Sequence, residues 1–218
     1  MAFAHGKVLL FGEHAVVHGQ PALAIGLTRG VAAAVVDGAP GIDAPAWGLH
    51  VRSDDGSRVA AAYNALCAAL PAGVPPRRVL LDADVPAGSG LGSSAAMAVA
   101  TARALCEVAS VPLDDPTLYN AAFASERVFH GNPSGLDHTV AMHGGMLLFR
   151  RGDPPFVQPL RVARAVDLIV WKVAPGADTG ALVRRFGAAL DATGGRDARL
   201  ARFGRIADAA VACLTGKE

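Results

Sequence analysis

Residues 86–96 read PAGSGLGSSAA, with Gly88, Gly90 and Gly92 at every second position and Ser93 and Ser94 directly after them. Ahead of this stretch RRVLLDADV alternates loosely between apolar and polar residues and predicts a short strand. Behind it AMAVATARALCEVA predicts an alanine-rich helix. Strand, glycine loop and helix start in that order aim bare N–H groups and the positive end of a helix at an anion, for which phosphate is the natural candidate. A P-loop would need Lys after its last Gly, where this chain has Ser93. A dinucleotide loop would need Gly at position 93 and an acidic residue ending a following strand, whereas Glu107 falls inside the predicted helix. The two hydroxyls at the helix start can cap the helix or ligate Mg²⁺.

Glu126 is a second group with chemical potential. DDPTLYNAAFASERVFHG (114–131) predicts a helix with Asp115 as N-cap, Pro116 in the first position and Gly131 past the end. Leu118, Ala122, Ser125 and Phe129 form its apolar stripe, and Glu126 lies beside that stripe in the last turn. A carboxylate there opposes the helix dipole at a cost of up to about 1 kcal/mol, which a nearby cation would offset. Pairing with an Arg, or plain solvation, is the alternative. Lysine is scarce: Lys7, Lys172 and Lys217 are the whole set, so each is a candidate for a specific task.

Other elements must position these groups. KVLLF (7–11) and residues 22–36 predict strands flanking the loop GEHAVVHGQP, and residues 37–50 predict a surface connection. VAAAYNALCAAL (59–70) predicts a helix ended by Pro71. GGMLLFRRG (144–152) and AVDLIVWKVA (165–174) predict further strands, and residues 179–190 and 197–214 predict two helices. The last helix carries an apolar stripe of Leu200, Phe203, Ala207, Ala210 and Leu214.

A chain of 218 residues accommodates one large domain or two small ones. Its 20 basic and 19 acidic residues create no field that would draw nucleic acid or an anionic membrane, so a small-molecule partner is expected. Cys67, Cys106 and Cys213 are odd in number, widely spaced and without a CxxC pair, which suits neither a disulfide framework nor a zinc site. The N-terminal stretch meets Lys7 and Glu13 too early for a signal peptide, and no apolar run reaches membrane-spanning length. A cytoplasmic location is expected.

Three stretches, taken together, resemble the mevalonate kinases of the GHMP kinase superfamily. KVLLFGEHAVVHGQPALA resembles the first family motif, PAGSGLGSSAA the second, and ERVFHGNPSGLDHTVAMHGG the signature in which a metal-binding Glu precedes HGNPSG and an aspartate. The similarity runs from Lys7 to about Val183. It implies an α+β GHMP-kinase fold, with a ribosomal protein S5 domain 2-like N-terminal ATP-binding domain over 1–160 and a partial ferredoxin-like C-terminal domain over 161–218.

The resemblance also implies a reaction, the ATP- and Mg²⁺-dependent phosphorylation of the primary hydroxyl of mevalonate. Gly88, Ser89, Gly90, Leu91, Gly92, Ser93 and Ser94 would cradle the phosphates. Glu126 with Ser93 or Ser94 would hold Mg²⁺. Asp137 would take the hydroxyl proton, with Lys7 keeping the aspartate ionised. Glu13, His14 and Thr179 would line the acceptor site, and Asn132, Pro133, Ser134 and Gly135 would shape the turn that aims Asp137. Two departures stand beside these matches. An Arg found before the threonine in many relatives is replaced by Ala177 and Asp178, which leaves another small alcohol open as substrate. Nothing in 184–218 matches the family's third glycine-rich motif, so the chain reads as truncated, split or reduced. A homodimer, a complementing C-terminal segment, or a weakly active nucleotide-binding remnant are the corresponding expectations.

Overall fold

The computed structural model describes residues 1–163, 165–171, 179–192 and 194–216, with the side chain of Thr179 outside that set. Its spine is a mixed seven-stranded sheet. β1 (Ala2–Phe11) runs antiparallel to β2 (Ala22–Val36) along residues 23–33 of the longer strand. β5 (Arg78–Ala83) takes residues 31–36 of β2, and β6 (Met146–Arg150) takes residues 22–25. β3 (Gly41–Ala44) lies parallel to β5 and pairs with β4 (Leu49–Arg52), while β7 (Phe156–Leu160) pairs with β6. β3 and β4 occupy part of the predicted surface connection over 37–50. Buried Arg78 secures them by donating from Nε to Asp43 Oδ2 at 2.7 Å and from Nη1 to the Val51 carbonyl at 3.0 Å.

Helices α1 (Arg58–Ala69), α2 (Ser93–Ala109) and α3 (Asp115–His130) enclose the main core against this sheet. α2 is buried nearly all round, and its alanine run explains how: small side chains let strands and helices approach it closely on every side. Ser57 caps α1 by accepting from the Ala60 N–H at 3.1 Å. The cap of α3 is Asp114, one residue before the predicted Asp115; it accepts from the Thr117 N–H at 2.9 Å, which places Pro116 second in the helix. Its buried face comprises Leu118, Ala121, Ala122, Ser125 and Glu126, so the glutamate belongs to the buried stripe and Phe129 only borders it.

α4 (Leu136–His143) follows the Gly131–Gly135 turn and packs Leu136 and Val140 onto Val16, Leu147 and Phe149. α5 (Thr179–Ala192) and α6 (Arg196–Thr215) lean on the β1–β2 loop, where Leu190 and Leu200 bury Ala15 with Phe186 at the margin. Within α6 the buried residues are Leu200, Gly204 and Ala207, while Phe203, expected in the apolar stripe, is exposed. Residues 165–171 form no strand, contrary to the sequence expectation for 165–174; residues 172–174 lie outside the described set. β7, which precedes this segment at the edge of the sheet, carries Pro159, which offers a further strand no N–H at that position. No described helix is long and apolar enough to cross a membrane.

Candidate active site

The site begins with an irregularity in β1. The β1–β2 register steps from His5 opposite Gly30 to Lys7 opposite Gly26, leaving Gly6 outside the ladder. The imidazole Nδ1 of His5 lies 2.7 Å from the Leu27 carbonyl in the skipped stretch of β2. This break turns the Lys7 N–H toward the glycine loop, where it donates to the Leu91 carbonyl at 2.9 Å. The Lys7 side chain then crosses Gly92, whose φ is +72°. A Cβ at position 92 would sit 2.8 Å from Lys7 Cγ, so glycine is needed there for both dihedral and space. The ammonium ends 3.2 Å from Asp137 Oδ1 in the first turn of α4, where the helix N-terminus also favours an anion.

Gly88, Gly90 and Gly92 all have φ between +60° and +78°, the geometry that alternate glycines permit and that turns successive N–H groups to one side. Ser89 Oγ donates to the Pro86 carbonyl at 2.7 Å, and Ser93 Oγ accepts from the Gly88 N–H at 3.3 Å. The Gly88 N–H is therefore engaged within the loop. The N-cap of α2 is Gly92, and neither serine caps the helix, because Ser93 and Ser94 already lie inside it. The N–H groups of Ser93, Ser94 and Ala95, at the first turn of α2, remain available to an anion.

Glu126 closes the floor. It is 1 % exposed, and its Oε1 has no hydrogen-bond partner. Its Oε2 lies 3.6 Å from His130 Nε2 one helical turn on. Burial above all, and then the charge of Asp137, push its carboxyl up to about 8; the Ser94 hydroxyl and the Lys7 ammonium pull the other way without prevailing. A buried carboxyl with an orphan oxygen beside a serine hydroxyl and an anion-binding loop suits a divalent cation shared with phosphate, which restores the charged form. Among the described residues no three His, Cys, Asp or Glu side chains form a cage of their own. Mg²⁺ shared with a nucleotide needs few protein ligands, so the donor set fits it.

The structure thus brings Lys7, Leu91, Gly92, Ser94, Glu126 and Asp137 together. Glu13 and His14 stand on the neighbouring β1–β2 loop, and among the described residues neither bonds directly to the Lys7–Asp137 pair. Glu13 is exposed, while the His14 ring lies 5.7 Å from that of Phe186. Thr179 opens α5, and Ala177 and Asp178 lie outside the described residues. His138 is buried between Tyr119 and Phe123 with neither ring nitrogen bonded. Burial drives its imidazole down to about 4, so it sits neutral directly behind Asp137. A polar ring inside an aromatic slot leaves no periodic trace by which sequence could reveal it.

The family of GHMP kinases N terminal domains matches residues 57–145, which span the glycine loop, Glu126 and Asp137. The chain belongs to the GHMP kinase superfamily. Within the superfamily it is 37 % identical over 166 residues to the mevalonate kinase of Aeropyrum pernix, covering 71 % of this chain and 51 % of that protein. It is 29 % identical over 242 residues to the mevalonate kinase of Homo sapiens, covering 83 % and 60 %. A crystal structure of L. major mevalonate kinase in complex with R-mevalonate superposes with a TM-score of 0.76 at 25 % identity, covering 99 % of this chain and 69 % of that one. The chain therefore spans about half to three-fifths of the length of the curated relatives it matches. It shares the mixed α/β fold of that superfamily over nearly its whole length.

Proposed function

We propose that this GHMP kinase transfers the terminal phosphoryl group of ATP to the primary hydroxyl of mevalonate. The observation that carries the reading is the Lys7–Asp137 pair, 3.2 Å apart and tied to the glycine loop through Leu91. The acceptor hydroxyl gives up its proton to the Asp137 carboxylate, which the Lys7 ammonium, 3.2 Å away, holds in place. Lys7 also offers positive charge where the transferred group collects negative charge. The N–H groups of the loop and of the first turn of α2 hold the phosphates in line with that hydroxyl. Glu126, with Ser93 or Ser94, would hold Mg²⁺, which when bound neutralises phosphate charge. Glu13, His14 and Thr179 complete the acceptor wall.

The same reading divides the chain near residue 160 into an S5 domain 2-like ATP-binding domain and part of a ferredoxin-like domain, and places it in the cytoplasm. A second copy or a further polypeptide covers the outer face of α6, where Phe203 and Ile206 are exposed. The test is ADP release from ATP with mevalonate and with a panel of other small primary alcohols. Turnover confined to mevalonate supports the assignment. Turnover with a different alcohol transfers it to that substrate, and ATP binding without turnover on any alcohol refutes the kinase reading for these 218 residues.

A further inference from the structure

We propose that Arg151 is a positioning residue for the acceptor, clamping the β1–β2 loop, which carries Glu13 and His14, to the Gly131–Gly135 turn, which aims Asp137. The proposal rests on the kinase reading above for its catalytic consequence, and on geometry alone for the clamp. Arg151 follows the last residue of β6, so its backbone is anchored by the sheet. Its guanidinium reaches in two directions, with Nη1 donating to the Val17 carbonyl at 3.1 Å and Nη2 donating to Asn132 Oδ1 at 2.6 Å. Val17 lies in the short helix Ala15–His18 that starts directly after His14. Asn132 lies five residues before Asp137, in the turn that enters α4.

Neither loop has a sheet ladder to fix it. Gly12, Gly131 and Gly135 have φ between +66° and +94°, and His14 has φ +58°; the hydrogen bonds within each segment shape it locally but do not tie it to the other. Beneath the turn, Tyr119 Oη presses on Gly135, where a side chain would collide with it. Above it, Arg151 supplies a planar fork whose two N–H groups set a fixed spacing between two acceptors. One of these is a backbone carbonyl, which side-chain change at Val17 does not remove. Holding the two loops at that spacing fixes the distance between the group that accepts the proton and the groups that line the alcohol site. Reaction rates are steep in that distance.

The test has two arms on the full chain. In the first, amide exchange read by mass spectrometry compares wild type with Arg151→Ala and Asn132→Ala. Arg151→Ala should raise exchange about tenfold in both peptides 12–20 and 131–137 while β1 and β2 stay unchanged, and Asn132→Ala should raise it in 131–137 alone. Loosening of one loop or of neither in Arg151→Ala, or a rise throughout the chain, overturns the clamp. This arm needs no turnover, so it judges the clamp even if mevalonate proves not to be the substrate. In the second arm, Arg151→Ala should raise the acceptor KM about tenfold and lower kcat, with the KM for ATP within about twofold of wild type. Adding Asn132→Ala to Arg151→Ala should change these constants little further, because the second bond is already lost. Equal rises in both KM values, or additive effects, overturn the positioning role. If Arg151→Ala fails to fold, Arg151→Lys takes its place: an ammonium lacks the fork and reaches one acceptor at a time, so it should loosen one loop more than the other, and wild-type exchange in both would overturn the proposal.

Discussion

Glu126→Gln should make the protein more stable as it makes it less active. In the nucleotide-free chain the carboxyl titrates near 8 against an ordinary 4.5, chiefly because it is buried. Between those pH values the folded state binds a proton that the unfolded state has released, so stability falls as pH rises through the window. At pH 7 the cost of keeping Glu126 protonated is about 3 kcal/mol, taking about 1.4 kcal/mol per pH unit. Gln keeps the volume and bears no such cost. Urea unfolding at pH 4, 5, 6, 7 and 8 should therefore show wild type and variant nearly alike at pH 4 and diverging by about 3 kcal/mol at pH 7. With Mg²⁺ and a non-hydrolysable ATP analogue, wild type should regain stability and the variant should gain less. Parallel stability curves across the whole range would refute the claim that desolvation governs this carboxyl. Unchanged Mg²⁺ dependence of turnover would remove Glu126 from the metal site.

Asp137→Asn should lower acceptor-dependent ADP formation by about 10²–10⁴ while nucleotide affinity, measured by calorimetry, stays near wild type. Gly92→Ala combines a left-handed φ with a Cβ 2.8 Å from Lys7 Cγ; a stability loss of about 1–2 kcal/mol in denaturant, together with a fall in turnover, is the expected result. Leu200→Ala removes an apolar contact under the His14 loop and should cost about 2–3 kcal/mol in the same assay. Sedimentation of wild type and Phe203→Lys would show whether the exposed outer face of α6 drives self-association, the charged variant being the less associated of the two.

Much of the site was legible because its chemistry forces unusual local sequence. Alternate glycines ahead of a helix, and a carboxylate in the last turn of one, both violate ordinary preference, and a violated preference is visible in one dimension. The partnership of Lys7 with Leu91 was not, since it depends on a register break at Gly6 that only the opposing strand reveals. Full burial of Glu126 was missed for a related reason: α3 turns Ala121 inward as well, and so widens the buried face past the predicted stripe. β3 and β4 escaped because four-residue strands bounded by glycine and proline carry too little alternation to read. Over residues 165–171 the predicted strand shows the opposite error, in which an apolar run was present but no strand formed.

The length of β2 has a consequence for how the molecule comes into being. Its fifteen residues receive β1 from just upstream, β5 from some fifty positions on and β6 from more than a hundred positions on. Segments so far apart in sequence must give up much chain freedom before they reward one another, which slows folding. β6 is also the strand that ends against Arg151, and the helix before it carries Asp137. During synthesis Lys7 and the glycine loop therefore leave the ribosome well before their carboxylate partner. Asp137 takes its place beside Lys7 only when α4 and β6 dock. A chain stalled short of β6 would present Lys7 and the glycine loop without a docked Asp137, so the transfer proposed above would have to wait for β6.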